Sequence, residues 1–222
     1  MTVGGTQAFK AARAAMVERQ LRARGIGDER LLAAFGEVPR EVFVDDGLAA
    51  LAYDDRPLPI GFGQTISQPY VVALMIEAAG VGPQDRVLEI GAGSGYSAAI
   101  LGRVAASVVA IERHLELAAA AQDRLARMAV GNVRVVAGDG TLGWPAAAPY
   151  DAILAAASGR EVPPALVAQL ATGGRLVMPL GAPARVQHMV KLTKNADGSL
   201  RRIGLCAVRF VPLIGAQGWA DE

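Results

Sequence analysis

From Asp85 onward the chain alternates short, continuous apolar runs with longer stretches in which apolar residues recur at helical spacing. The runs at 86–90, 108–112, 133–137, 151–155 and 175–178 have the length and β-branched content of buried strands, and the stretches 115–128 and 164–170 read as helices. Strands separated by helices predict a parallel sheet with helices on both faces. The pattern changes at the end. From 186 to 210 two alternating runs, 190–193 and 200–211, flank the turn residues Asn195-Ala196-Asp197-Gly198, the signature of a β-hairpin. The expected class is therefore α/β, a doubly wound, mostly parallel, Rossmann-like sheet with a C-terminal antiparallel hairpin.

Upstream of the sheet the period is helical. Residues 8–24, rich in Ala, Arg, Glu and Leu, predict a helix that Gly25 terminates. Asp28 is placed to cap a second helix over 29–36, and a third is expected over 70–79. Residues 1–7 lack a comparable pattern and are expected to be disordered. With 222 residues the chain fits one domain, in which 8–80 form a helical and loop region and 81–222 the α/β core.

Composition narrows the function classes. A hydrophobic content of 52%, a charged content of 19% and a formal net charge of +1 describe a compact globular protein with no general attraction to nucleic acid or membranes. Glu89, Arg103 and Glu112 interrupt the most hydrophobic region, and the amino terminus lacks a secretory apolar core. A cytoplasmic location is the expectation, with a monomer as the default state. The single cysteine, Cys206, excludes an internal disulfide, and with histidine only at 114 and 188 no metal site is expected.

The chemistry enters at Val87-Leu88-Glu89-Ile90-Gly91-Ala92-Gly93-Ser94-Gly95-Tyr96, a strand running into three alternating glycines and then a helix. Glycines here let a ligand approach the backbone, and the opening turn of the helix directs free N–H groups toward it. A dinucleotide site favours G-x-G-x-x-G, but the position of its last glycine holds Tyr96. The E-x-G-x-G-x-G arrangement resembles the first motif of the class I S-adenosyl-L-methionine-dependent methyltransferases. A carboxylate at Glu89 suits an ammonium group and would repel a pyrophosphate. Glu112 ends the second strand 21 residues after Gly91 and can accept both hydroxyls of a ribose. Gly138-Asp139-Gly140 follows the third strand, where Asp139 could accept a hydrogen bond from an adenine amino group. Singly, each feature is also what a tight turn or a solvated acid looks like. In this order they favour an adenosyl cofactor.

The region before this motif speaks to the methyl acceptor. Gly63-Gln64-Thr65-Ile66-Ser67-Gln68-Pro69, within a Pro- and Gly-rich polar loop from Leu58, resembles the signature loop of the protein-L-isoaspartate (D-aspartate) O-methyltransferases. Val38-Pro39-Arg40-Glu41-Val42-Phe43-Val44, Tyr150-Asp151-Ala152-Ile153 and Val208-Arg209-Phe210-Val211-Pro212-Leu213 extend the likeness over nearly the whole chain. The resemblance implies S-adenosyl-L-methionine as methyl donor and isoaspartyl residues of damaged peptides and proteins as acceptors, with D-aspartyl residues a second acceptor class in the family's name. It marks Ser67 as the active-site residue. It places Gln64, Thr65, Ile66, Ser67, Glu89, Gly91, Gly93, Gly95, Tyr96, Glu112, Asp139 and Gly140 at the cofactor. Two departures stand out: Phe62, where a polar residue is common in the family, and Ala155-Ala156-Ala157-Ser158-Gly159, where many members carry Thr-Ala-Ala and a proline.

A carboxylate acceptor needs no general base, since a free carboxyl titrates near about 4. Scarce histidine is therefore no objection. Ser67, without a base in sequence context, reads as an orienting hydrogen-bond donor, or simply as the cap of the helix that follows. An extended peptide could pair with backbone near 58–63 and 211–213. Tyr70, Tyr96 and Trp144 are aromatic candidates near the pocket that could equally be core. Three other readings stay open: a class I methyltransferase for another carboxylate or a modified peptide, a non-catalytic isoaspartyl-binding module, and, more distantly, a nucleotide-dependent oxidoreductase.

Overall fold

The computed structural model describes residues 3–221. Its main sheet contains β3 (Arg86–Ile90), β4 (Ser107–Glu112), β5 (Val133–Ala137), β6 (Tyr150–Ala155), β7 (Leu170–Leu180), β8 (Gln187–Lys194) and β9 (Leu200–Val208). The seven strands lie in the order β5-β4-β3-β6-β7-β8-β9. Strands β3 to β7 are parallel, whereas β8 pairs antiparallel with both β7 and β9. The chain winds outward from β3 through β4 to β5, then returns to lay β6 on the other side of β3. Between the carboxyl ends of β3 and β6 the direction of winding switches, and a crevice opens there.

Period-two alternation divides the strands between two cores. Val87, Val108, Ala110, Leu154, Val177 and Met189 face one side, packed by α1 (Val3–Met16), α2 (Glu29–Glu37), α3 (Pro69–Ala79) and α4 (Tyr96–Val104). Leu88, Ile90, Ile153, Leu176 and Met178 face the other, covered by α6 (Pro164–Gln169) and by the terminal segment around Leu213. The helix α5 (Leu115–Arg127) follows β4. Among the described residues no helix is long and apolar enough to cross a membrane.

The N-terminal helix departs from expectation at its start. It begins at Val3, so residues 3–7 are helical, while residues 1 and 2 lie outside the described part. Phe9, Ala12 and Met16 on α1 dock on the first core, and tertiary packing of this kind overrides weak local propensity. The chain continues through a π-helical turn, Val17–Leu21, and a 3₁₀ turn, Arg22–Arg24, to Gly25, whose left-handed φ of 95° ends it as expected. Asp28 caps α2 by accepting from the backbone N–H groups of Arg30 and Leu31.

Two further departures concern the signature loop and β7. Residues 58–66 form an antiparallel hairpin, β1 (Leu58–Gly61) and β2 (Gln64–Ile66), in which Leu58 opposes Ile66 and Gly61 opposes Gln64. Pro59 is tolerated because this two-stranded unit consists of edges. Strand β7 extends well beyond 175–178 in both directions, its residues 175–180 paired along their length with β8 and its first residue, Leu170, opposite Tyr150.

Candidate functional site

Glycine-rich backbone at the end of β3 makes the floor of the site. Gly91 and Ala92 donate to the carbonyl of Ile111 at 2.8 and 3.0 Å, which fastens the loop across the end of β4. Gly95, the residue before α4, has a φ of 90°, and a Cβ there would come within 3.1 Å of Ala121 Cβ, so only glycine combines this turn with close packing against α5. At Gly93 a Cβ would meet Ile60 Cδ1 at 3.1 Å, which shows how closely the β1–β2 hairpin lies over the glycine loop. At Gly140 a Cβ would lie 2.4 Å from Ile90 Cγ2.

Two carboxylates flank this floor. Glu112, at the end of β4, accepts from Gly93 N at 2.9 Å through Oε2 and from His114 N at 3.0 Å through Oε1. Glu89, near the end of β3, is only 1% exposed, and its Oε2 has no hydrogen-bond partner. Burial pushes the Glu89 carboxyl up to about 8; the Ser97 hydroxyl pulls it partly back and the charge of Glu112 adds to the rise. A buried acid with an unsatisfied oxygen is costly unless a positive group meets it.

The roof is the β1–β2 hairpin and the segment that joins it to α3. Gln64, Thr65, Ile66 and Ser67 line the cavity from above, and Glu89, Gly91, Gly93, Tyr96, Glu112 and Gly140 line it from below. The cavity measures about 1110 Å³, more than the few hundred to about 1,000 Å³ that one drug-sized ligand fills. Phe62, at the hairpin tip, stacks on His114 with ring centroids 5.3 Å apart and so joins the roof to the loop after β4.

Ser67 does not cap α3. The cap position is Gln68, which makes no side-chain cap bond. Asp55 serves the helix start from a distance: Oδ1 accepts from Tyr70 N at 3.4 Å, and Oδ2 accepts from Gln68 Nε2 at 2.7 Å and pairs with Arg24. Tyr70 lies beneath the Arg24 guanidinium, and Arg134 lies over Trp144. The Tyr96 ring turns toward the N-terminal core, edge-on to Phe35 and Phe43 at 6.1 and 5.5 Å.

The remaining wall comes from the C-terminal segment, including Arg209, Phe210, Pro212, Ile214 and Trp219. Asp139 lies outside the main cavity, beside a shallower hollow shared with Arg113 and Gly215. Its Oδ1 accepts from Thr141 N at 2.8 Å and Thr141 Oγ1 at 2.6 Å, and its Oδ2 accepts from Ala216 N at 2.7 Å. Asp139 thus moors the wall. Gly95 likewise does not line the cavity and acts through the turn it makes. Ser158, in the departure after β6, is buried; its N–H donates to Val211 O and its carbonyl accepts from Leu213 N, both at 2.8 Å, and its Oγ donates to Gly181 O at 3.0 Å. The Val211 carbonyl and the Leu213 N–H are therefore taken by Ser158 on that side. The wall residues Arg160 and Trp219, which stack on each other, carried no signal in the sequence.

This geometry has close relatives among known proteins. The family model for protein-L-isoaspartate(D-aspartate) O-methyltransferase (PCMT) matches residues 11–218. A protein-L-isoaspartate O-methyltransferase of Rhodopseudomonas palustris is 55% identical over 204 residues, covering 92% of this chain and 94% of the relative. That of Methanoculleus marisnigri is 55% identical over 207 residues, covering 93% of each. A solved protein-L-isoaspartate O-methyltransferase superposes with a TM-score of 0.85 at 32% identity, covering 93% of this chain and 67% of that one. A Plasmodium falciparum structure described as a complex with S-adenosyl-L-homocysteine shares the fold at a TM-score of 0.78 and 24% identity, covering 91% and 98%. With a matched family model over most of its length and relatives at this identity, the chain belongs to the protein-L-isoaspartate(D-aspartate) O-methyltransferase family.

Proposed function

We propose that the chain transfers a methyl group from S-adenosyl-L-methionine to the free carboxylate of isoaspartyl residues in damaged peptides and proteins, the step that opens their repair. The observation that carries this reading is a single cavity with a glycine floor, an unsatisfied buried acid at one end and the Gln64–Ser67 roof over it, large enough for a cofactor and a peptide residue together. When bound, S-adenosyl-L-methionine supplies a methyl group made electrophilic by a positively charged sulfur.

The residues fit that group. Glu89 Oε2, buried without a partner, suits the ammonium of a methionine moiety. Each Glu112 oxygen already accepts a backbone N–H, and a carboxylate offers about four lone-pair sites, so acceptors are left over for ribose hydroxyls. Gly140, held bare by Ile90, lets a flat base approach the end of β5. In this arrangement Asp139 contributes by holding the wall.

The acceptor arrives ionised, and no base has to remove a proton. Charge is lost as a carboxylate meets a sulfonium, so an enclosed site favours the reaction over the hydrated separated partners. The Gln64–Ser67 roof and the terminal wall supply the enclosure, and alignment supplies much of the rest. Ser67 is the hydroxyl on the roof that can orient the substrate carboxylate. An extended substrate can pair with the outer edge of β1, which no other strand covers among the described residues.

The direct test compares methyl transfer from labelled S-adenosyl-L-methionine to two peptides that differ only in one aspartyl linkage. Base-labile label on the isoaspartyl peptide alone is the expected result; label on neither, with S-adenosyl-L-homocysteine still bound, would move the search to another acceptor. Ser67→Ala is expected to lower turnover about 10- to 100-fold, the range for losing a hydrogen bond to a charged group worth about 1.5–3 kcal/mol. Its melting temperature should stay within about 2 °C of wild type, since no cap bond is lost. Unchanged turnover would remove the hydroxyl from the reaction.

A further inference from the structure

Arg40 is fully buried, and none of the ion pairs among the described residues involves it. Its Nε donates to the Ala52 carbonyl at 2.7 Å and its Nη2 to the Ser67 carbonyl at 2.8 Å. Nη1 is buried without a partner, as is the hydroxyl of Tyr96, whose ring centroid lies 4.8 Å from the Arg40 guanidinium carbon. Burial lowers the pKa of this guanidinium, yet with an ordinary value above about 12 it remains a cation. A buried cation without a counter-ion is an expensive way to fill space, and an apolar side chain would fill it at less cost.

What the cation does is join three segments. Ser67 lies between the end of β2 and the start of α3, Tyr96 opens α4 immediately after the glycine loop, and Ala52 belongs to the turn that precedes the hairpin. A planar, rigid fork holds two carbonyls in fixed relative positions, which a lysine cannot do. We propose that Arg40 is a positioning residue, holding the Ser67 segment of the roof in register with the glycine loop of the floor so that the Ser67 hydroxyl meets the substrate carboxylate. This rests on the reading of Ser67 given above.

The test uses Arg40→Lys and Arg40→Met in the full chain. A displacement of the order of 1 Å away from the reacting atoms can cost about 100-fold. Turnover on an isoaspartyl peptide should fall about 10-fold in R40K and about 100-fold in R40M, while affinity for S-adenosyl-L-homocysteine stays within about threefold of wild type. In a Ser67→Ala background R40K should cost less than about twofold, because the hydroxyl it positions is gone. Fully multiplicative losses, or cofactor affinity falling in step with turnover, would overturn the proposal. Should R40M fail to fold, R40K carries the measurement.

Amide exchange gives a readout independent of the reaction. The amides of residues 66, 67, 68 and 70 should exchange at least about tenfold faster in R40K with the strands of the main sheet unchanged, and equal exchange would refute the role of Arg40. If the wild-type protein methylates no isoaspartyl peptide, the substrate reading fails, and the exchange comparison still decides whether Arg40 orders the roof.

Discussion

Glu89→Gln is expected to weaken S-adenosyl-L-homocysteine binding about 100-fold or more above pH 8 and, at the same pH, to raise the melting temperature of the ligand-free protein. Both effects come from one buried oxygen. The carboxyl is 1% exposed, Oε2 has no partner, and burial first, with the Glu112 charge adding, sets its pKa at about 8. A ligand ammonium must meet the ionised form, and removing one partner of a buried ion pair costs about 3–5 kcal/mol, or about two to four orders of magnitude. With a pKa near 8, the acid is ionised in roughly one molecule in ten at pH 7 and one in a hundred at pH 6. Wild-type affinity should accordingly rise about tenfold from pH 6 to 7 and flatten above 8, and the Gln variant should lack this rise. Stability runs the other way. The folded pKa is raised above the ordinary 4.5, so the contribution is whole below that value and is lost as pH rises through about 8. Wild type and variant should melt together near pH 4.5 and diverge toward pH 8, with the variant higher. Calorimetric titrations and melts across this range give both curves; a pH-independent wild-type affinity would separate Glu89 from the ligand.

The features legible in the sequence are those that act over a few residues. The run at 86–90 is a strand with those same bounds, Gly25 ends the first helical stretch, and Asp28 caps the second, because each depends on alternation, a left-handed turn or a local side-chain bond. The glycine loop and its acids were legible too, since strand, turn and helix follow one another directly. What escaped is made by residues far apart in the chain. The hairpin at 58–66 was hidden by Pro59 and the Gly61-Phe62-Gly63 turn, which read as loop. The carboxylate that meets the start of α3 is Asp55, 15 residues before Tyr70, where no spacing rule reaches. Arg40 looks like any charged residue in a polar stretch, and only the folded chain shows it beneath Tyr96 and bound to two carbonyls. Asp139 is read from its place after the third strand as an adenine contact; only the folded chain shows that its carboxylate also holds Ala216, a partner 77 residues later.

That mooring leads to the second large effect. Gly215→Ala is expected to lower methyl transfer about 100-fold with a fall in melting temperature of no more than a few degrees. A Cβ at 215 would lie 2.0 Å from Asp139 Oδ1, far inside contact distance, and that oxygen is fixed by Thr141 N and Oγ1. The chain at 215–219 must then lift away, losing the Ala216 bond to Asp139, the bond from Gln217 N to Thr141 Oγ1 at 3.1 Å and that from Trp219 Nε1 to Ser158 O at 2.9 Å. Ile214 and Trp219 leave the cavity wall with it, water enters, and the enclosure that favours charge neutralisation is lost. The strands of the sheet are untouched, so global stability falls little. Asp139→Ala removes both the mooring and the atom that the new Cβ would strike, and the double variant should therefore be no worse than Asp139→Ala alone. Acid should reproduce the release. Burial pushes the Asp139 carboxyl up, but hydrogen bonds from Ala216 and Thr141, with the charge of Arg113, outweigh it and hold the pKa below the ordinary 3.8. Docking of the wall is then at full strength above that value and is lost as pH falls through the lowered one. In a Trp144→Phe background, where Trp219 is the remaining tryptophan, fluorescence follows the wall directly: a shift toward the solvent-exposed spectrum in Gly215→Ala at neutral pH, matched by the Gly215 parent only in strong acid, is the expected pattern, and an unshifted spectrum in a variant that has lost activity would show that the wall is not what Gly215 protects.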